Sequence, residues 1–328
     1  MIQRVQNASL IRERRSMAKP LDIEPIDRVH SEHYPAAVQA YFAHYGLGLN
    51  GPACEHLFGT FASGDFTLVG HLYRPAVYRA TVVLLHGYLN HSGQFKNLIG
   101  HLLRHDMAVG VFDLPGHGHS SGQRAAIDSF DQYARATTDF MAVVHRRLEG
   151  PYYTVGFSLG GAIAMDLLRD GSSPFEKTVL AAPLVHWTQY EQSKETYKVY
   201  SRFTDCIKRF HQRNTSNRGY LVFNRTQDYL HCRSISLKWV KALFDWNERI
   251  AAMTPCETPL RVIQGDKDRT VDWQYNLNLI RDKFPKALID LIAGARHELF
   301  NEADTFRTAA LNHTVDYLTT SIQHSMED

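Results

Sequence analysis

The chain has 328 residues with 36 Lys and Arg against 34 Asp and Glu, a net charge of +2, and is 44% hydrophobic and 11% aromatic. At roughly 150 residues per domain it holds one large or two modest domains, and its composition excludes disorder, collagen and a membrane bundle. The balanced charge argues against nucleic acid as a partner, and every apolar run is far short of the ~20 residues that span a bilayer.

Residues 1–20 carry Arg4, Arg12, Arg14, Arg15 and Lys19 against Glu13, with no apolar run behind them. A secretory signal peptide needs such a run, so a cytoplasmic chain with a loose basic start is expected. The alternative use of that arm is a peripheral contact with anionic lipid at the inner membrane surface. Cys54, Cys206, Cys232 and Cys256 lack C-x-x-C spacing and are expected to be reduced thiols.

Residues 1–60 read as an N-terminal extension, mostly helical or loose. Within it, Gly46-Leu47-Gly48-Leu49-Asn50-Gly51 matches G-x-G-x-x-G, but a helical stretch precedes it where a dinucleotide site needs a strand. From about Phe61 the pattern turns to strands, at Phe66 to Tyr73 and Ala80 to His86. A helix at Phe95 to His105, a strand at Met107 to Asp113 and a helix at Ser129 to Leu148 follow, the last capped by Ser129 or Asp128. Then come a strand at Tyr152 to Phe157, a helix at Leu159 to Arg169 and a strand at Lys177 to Ala182. Such alternation predicts an α/β fold whose mostly parallel central sheet is covered by helices on both faces.

The first part of that core spans 61–183, and the alternation resumes over 256–328 with Leu260 to Gln264, a helix around Tyr275 to Lys283, Ala287 to Ile292 and a last helix from about Asp304. Residues 184–255 form an insertion that looks helical and holds 12 aromatic residues, with 12 Lys and Arg against six Asp and Glu. It is expected to form a helical cap, or lid, over the sheet's ligand edge. Tyr197, Tyr200 and Phe203 stand at helical spacing and serve either helix packing or the lining of an acyl slot.

Gly156-Phe157-Ser158-Leu159-Gly160-Gly161 lies between a strand and a helix. A G-x-S-x-G turn there is sharp enough to need glycine on both sides, and it exposes a strained serine. Serine is a weak nucleophile at neutral pH and needs a base, which needs an orienting carboxylate. His297, in the loop after the last strand, is the candidate base. Asp266, Asp268 and Asp272 compete as the acid, the first also suited to a turn and the last to a helix cap. The oxyanion of an acyl transfer needs backbone donors; Leu159 offers one and Tyr88, in His86-Gly87-Tyr88-Leu89-Asn90-His91, the second. His86 fits a buried ring that holds this loop. His117-Gly118-His119 lacks a third ligand at metal spacing and reads as a buttressing loop.

These residues resemble the α/β-hydrolase superfamily, and within it the subgroup of monoacylglycerol lipases, lysophospholipases and serine-aminopeptidase-like hydrolases. The resemblance covers about 60–325 and rests on Leu85-His86-Gly87-Tyr88, the run from Asp113 through Gly116, His117, Gly118, His119 and Ser120 to Arg124, the serine elbow, Gln264 to Asp272, and Ala295 to Leu299. The subgroup's G-x-x-D pattern falls on Gly265 and Asp268, which implies Asp268 as the acid. It implies an α/β-hydrolase fold with an inserted helical cap and a carboxylic ester hydrolase that needs no cofactor or metal. The catalytic residues are then Ser158, Asp268 and His297, with Tyr88 and Leu159 as oxyanion donors.

The expected substrate is a single-chain lipid, lysophospholipid or monoacylglycerol, or a medium-chain acyl ester, acted on by a monomer or homodimer. The basic insertion leans toward an anionic headgroup or membrane surface. The rivals are an aminopeptidase-type amide hydrolase and a non-catalytic ligand-binding protein of the same fold. A dehalogenase or epoxide hydrolase would carry aspartate at the elbow.

Overall fold

The computed structural model describes residues 21–29, 34–48, 54–209 and 213–320. The basic arm at 1–20 and Gly51 lie outside them. Eight strands form the main sheet: β1 (Cys54–Ser63), β2 (Phe66–Pro75), β3 (Ala80–Leu85), β4 (Met107–Phe112), β5 (Tyr152–Phe157), β6 (Lys177–Ala181), β9 (Leu260–Gly265) and β10 (Ala287–Ile292). A separate antiparallel pair consists of β7 (Cys206–Lys208) and β8 (Ser234–Ser236). The main order is β1-β2-β4-β3-β5-β6-β9-β10, antiparallel between β1 and β2 and between β2 and β4 and parallel across the rest.

The helices are α1 (Ala36–Tyr45), α2 (Lys96–Leu103), α3 (Phe130–Arg147), α4 (Leu159–Arg169), α5 (Tyr190–Tyr200), α6 (Arg218–Thr226), α7 (Leu237–Ala252), α8 (Trp273–Lys283) and α9 (Asp304–Thr319). None among the described residues is long and apolar enough to cross a membrane. Strand β3 shows how the two faces are built. Val83 and Leu85 pack into the core beneath α3, α4 and α8, whereas Val82 and Leu84 pack into the one beneath α1, α2 and α9. Period-two alternation in a strand that is apolar throughout thus feeds two layers at once.

Helix α3 starts with Ser129 as N-cap and Gln132 completing the capping box. Its Phe140 packs against Phe61 and Phe112 with ring centroids 5.2 and 4.7 Å away. Two strand glycines make room for that ring: a Cβ on Gly70 would stand 2.7 Å from Phe140 Cε2, and one on Gly110 3.2 Å from Cε1.

The structure differs from the sequence pattern in two places. Strand β1 begins at Cys54, not near Phe61, so residues 54–60 belong to the sheet and not to an extension. His56 and Gly59 obscure the alternation there, and its pairing along all of β2 supplies what the pattern lacks. The insertion also contains β7 and β8, which are too short to show a period; cross-strand partners such as Ile207 and Ile235 define them.

Ahead of β1, α1 ends at Gly46, whose left-handed φ of 67° closes the helix. Tyr41, Phe42, Tyr45 and Leu47 are buried against the sheet. The Tyr41 hydroxyl, His71 and His56 form a hydrogen-bonded chain with steps of 3.3 and 3.0 Å. Burial depresses both histidines, His71 to about 3 and His56 well below its ordinary value, so both are neutral.

Two outcomes follow. Phe140→Ala should destabilise the fold by about 3–5 kcal/mol, read as a lower denaturant midpoint at unchanged m-value. The neutral histidines give a stability contribution that is complete above 6.5, their ordinary pKa, and is lost as pH falls toward their folded values. By pH ~5 His71 should have withdrawn about 2 kcal/mol, with His56 acting in the same direction, and a midpoint that stays flat from pH ~7 to ~5 would contradict their neutral burial.

Candidate active site

Ser158 sits between β5 and α4, in the bend that the glycines permit. Its φ of 52° lies in the left-handed region, a strained setting for a non-glycine residue. Neither flanking glycine tolerates a side chain. A Cβ on Gly156 would run into the backbone of Gly160, and one on Gly160 into the Leu85 carbonyl at the end of β3. The Ser158 hydroxyl does not cap α4. It meets His297 Nε2 at 3.1 Å.

His297 follows β10, and its Nδ1 donates to Asp268 Oδ2 at 2.7 Å. The three aspartates of the loop after β9 have separate positions. Asp268 Oδ1 accepts from the Thr270 and Val271 backbones at 2.7 and 3.2 Å, and Oδ2 accepts from Gln264 Nε2 at 3.1 Å as well as from His297. Asp266 instead accepts from the Gly294 backbone at 2.7 Å, tying two loops together, and Asp272 caps α8 through Tyr275. Ser158, His297 and Asp268 are all buried, 6%, 4% and 6% exposed, so little water competes for these bonds. Burial pulls the His297 pKa down, but the Asp268 charge and hydrogen bond outweigh it, and the net shift is upward from 6.5.

Both candidate oxyanion donors border this group. Leu159 is the first residue of α4, where the helix leaves its N–H without an internal acceptor. Tyr88 lines a cavity together with Ser158 and His297, and its peptide is held by His86. The Leu114 N–H donates to His86 Nε2 at 2.9 Å, which leaves Nδ1 with the proton for the Gly87 carbonyl at 2.8 Å. The Asn90 N–H reaches that carbonyl at 3.1 Å. Because the peptide is planar and trans, fixing the Gly87 oxygen fixes the opposed Tyr88 N–H. Burial lowers His86 to about 4, so it stays a neutral loop-holder.

The Tyr88 ring is clamped too. Its hydroxyl donates to the Ala125 carbonyl at 2.8 Å and accepts from the Ser236 N–H at 3.0 Å, while the ring stacks on Trp239 at 3.5 Å. His117, beneath it, contacts the Pro115 carbonyl through Nδ1 at 2.9 Å, and the His119 backbone donates to Asp113. His117 therefore serves the loop after β4 through its ring, and His119 through its backbone.

A cavity of about 300 Å³ opens over Ser158 and His297. Leu184, Trp187, Tyr197, Leu237, Trp239 and Val240, all from the insertion, supply much of its apolar wall. The insertion's aromatics divide: Tyr200 also lines the cavity, Phe203 is 82% exposed, and Trp246 is buried against Phe130.

Several contributors were missed by sequence reasoning. Buried Glu302 accepts from the Arg296 backbone on one oxygen and from Thr215 and the Ser216 backbone on the other, pinning the His297 loop to the insertion. Asn276 of α8 bonds Pro183 and His186 at the insertion's start. Asn90, Arg209, Asn214 and Glu298 form a polar stretch of the cavity wall. Glu302 and Glu298 stand within five residues of His297, a signal in position alone; nothing local marks the others.

The family model described as "Serine aminopeptidase, S33" matches residues 76–304. A human monoglyceride lipase is 26% identical over 253 residues, covering 74% of this chain and 82% of that protein. A probable lysophospholipase L2 from Haemophilus influenzae is 22% identical over 318 residues, covering 85% and 98%. Among solved structures, a soluble variant of monoglyceride lipase from Saccharomyces cerevisiae, in complex with a substrate analog, superposes with a TM-score of 0.69 at 16% identity over 79% of this chain and 94% of that one. With the sheet order, the helices on both faces and the serine elbow described above, the chain belongs to the serine aminopeptidase, S33 family of α/β-hydrolases.

Proposed function

We propose that Ser158 attacks an ester carbonyl while His297 takes its proton, and that Asp268 orients the imidazole and steadies the charge it acquires. The Tyr88 and Leu159 N–H groups hold the oxyanion, and His297 returns the proton to the leaving alcohol. Water then repeats the cycle on the acyl-enzyme. The observation that carries this reading is the 3.1 Å contact between Ser158 Oγ and a histidine that is bonded in turn to a carboxylate.

The chain is a carboxylic ester hydrolase. Its substrate, in this proposal, is a single-chain lipid such as a monoacylglycerol or lysophospholipid, or a medium-chain acyl ester. The apolar cavity wall supports this reading, as do the names carried by the human and Haemophilus influenzae relatives. Residues 184–255 act as the cap that encloses the acyl chain. Exposed Val199, Tyr200, Phe203 and Val222, on a segment rich in Lys and Arg, suit a peripheral membrane contact through that cap.

Ser158→Ala should reduce turnover by about 10⁴–10⁶-fold and abolish labelling by a fluorophosphonate. On p-nitrophenyl esters of increasing length, kcat/KM should rise by up to about fourfold per methylene until the cavity is filled. A peak at acetate would refute the apolar slot, and faster turnover of aminoacyl arylamides than of esters would favour the aminopeptidase reading.

His297 accepts a proton only when neutral, so kcat/KM should fall as pH drops through a pKa above 6.5. Asp268→Asn removes the charge that raises this pKa and leaves the burial that lowers it. Its acid limb should move to lower pH while the plateau drops about 10⁴-fold. An acid limb that stayed in place would exclude Asp268 as the partner.

A further inference from the structure

The cavity wall beside His297 differs from the rest. Asn90 Nδ2 and Asn214 Nδ2 donate to Glu298 Oε1 at 3.4 and 3.1 Å, and the Tyr220 hydroxyl reaches Oε2 at 3.4 Å. The carboxylate thus has two neutral amide donors and, beside it, a tyrosine hydroxyl whose single proton goes to Gln94 Oε1 at the shorter 3.0 Å. Arg209, immediately after β7, completes this wall and is the one Lys or Arg that lines the cavity among the described residues. Its Nη1 contacts the His231 imidazole, and among the described residues it makes no ion pair with a carboxylate. Burial lowers its pKa, and Glu298 acts on it as the leading opposing charge, without direct contact.

A half-buried guanidinium with no contacting counter-ion among the described residues carries part of a desolvation penalty that an anionic ligand group relieves. Its planar fork of donors suits phosphate in two-point contact. The position of the fork relative to the scissile bond follows from the chemistry. The base returns its proton to the leaving oxygen, so the alcohol departs on the histidine's side. Glu298 follows His297 in the chain, and Arg209 lines the cavity together with both. The polar wall therefore faces the alcohol, and the apolar wall is left for the acyl chain. Glu298 also limits how much negative charge the wall accepts, which suits the single charge of a phosphodiester headgroup.

We infer that Arg209 is a specificity-determining residue that binds the phosphodiester of a leaving glycerophosphoryl alcohol, making lysophospholipid the preferred substrate over neutral monoacylglycerol. This rests on the assignment of Ser158 as nucleophile. The test uses the full chain as wild type, Arg209→Met and Arg209→Lys, with 1-oleoyl-lysophosphatidylcholine, 1-monooleoylglycerol and methyl oleate in matched micelles, and fluorophosphonate labelling of each protein.

In Arg209→Met the ratio of kcat/KM for lysophosphatidylcholine to that for monooleoylglycerol should fall by about ten- to hundredfold, mostly through KM, with Arg209→Lys recovering part of it. An unchanged ratio in a labelled variant overturns the inference and leaves the serine mechanism standing. Equal losses on all three esters also overturn it, since they would mark a purely structural role. A wild type that neither labels nor hydrolyses any of the three removes the serine mechanism, and the role of Arg209 with it.

Discussion

The left-handed backbone at Ser158 is the constraint on which the site depends. It costs on the order of 1–3 kcal/mol and persists only because its surroundings hold it. The Ser158 N–H bonds the Ala181 carbonyl at 2.9 Å, and its own carbonyl accepts from Gly161 at 2.9 Å and Leu184 at 3.0 Å. One strained residue thereby joins β5, β6, α4 and the start of the insertion. The absence of side chains at Gly156 and Gly160 lets α4 begin against the end of β3, which brings the loop carrying Tyr88 alongside the elbow.

The buried histidines show how one residue type is given opposite tasks. His86 and His297 are equally enclosed, yet burial dominates at His86 and the pKa falls to about 4, whereas the pKa of His297 rises. The difference lies in the direct partner. His86 is bonded to a carbonyl and a backbone N–H, while His297 is bonded to a carboxylate. One ring stays neutral and shapes a loop, and the other can gain and release a proton. The linkage signs are opposite as well: His86 contributes stability above pH 6.5 that is lost on acidification, whereas the contribution of His297 is complete below 6.5 and is lost as pH rises through its folded pKa. In the proposed reaction His297 must be neutral to take a proton, a form its paired carboxylate disfavours.

The insertion is stitched to the core by buried polar side chains as well as by apolar packing. Asp228 is the densest of these junctions: its two oxygens accept from Tyr45, His91, Gln94 and the Leu230 and His231 backbones. Gln94 in turn accepts from Tyr220, whose hydroxyl lies near Glu298 beside His297. Helix α1, ahead of the sheet, is thus connected through Tyr45 to the polar wall of the cavity. Such networks are favourable when every member is satisfied, and they set the wall's shape more sharply than apolar contact alone.

The sequence by itself determined the strand and helix alternation from β2 to β6 and from β9 to α9, because apolar runs bounded by glycine and proline encode their own period. It also singled out Ser158 and His297 as candidates, since a serine at a strand-to-helix bend and a histidine after the last strand are local facts of chain order. Residue types and spacing left Asp266, Asp268 and Asp272 unresolved; resemblance favoured Asp268, and the fold separates the three by giving each a different partner. Only the tertiary structure decided the start of β1, the pairing of β7 with β8, and the meeting of Asn90, Arg209, Asn214 and Glu298 on one wall. Those features join residues far apart in the chain, and no local pattern records a contact whose two halves are specified separately.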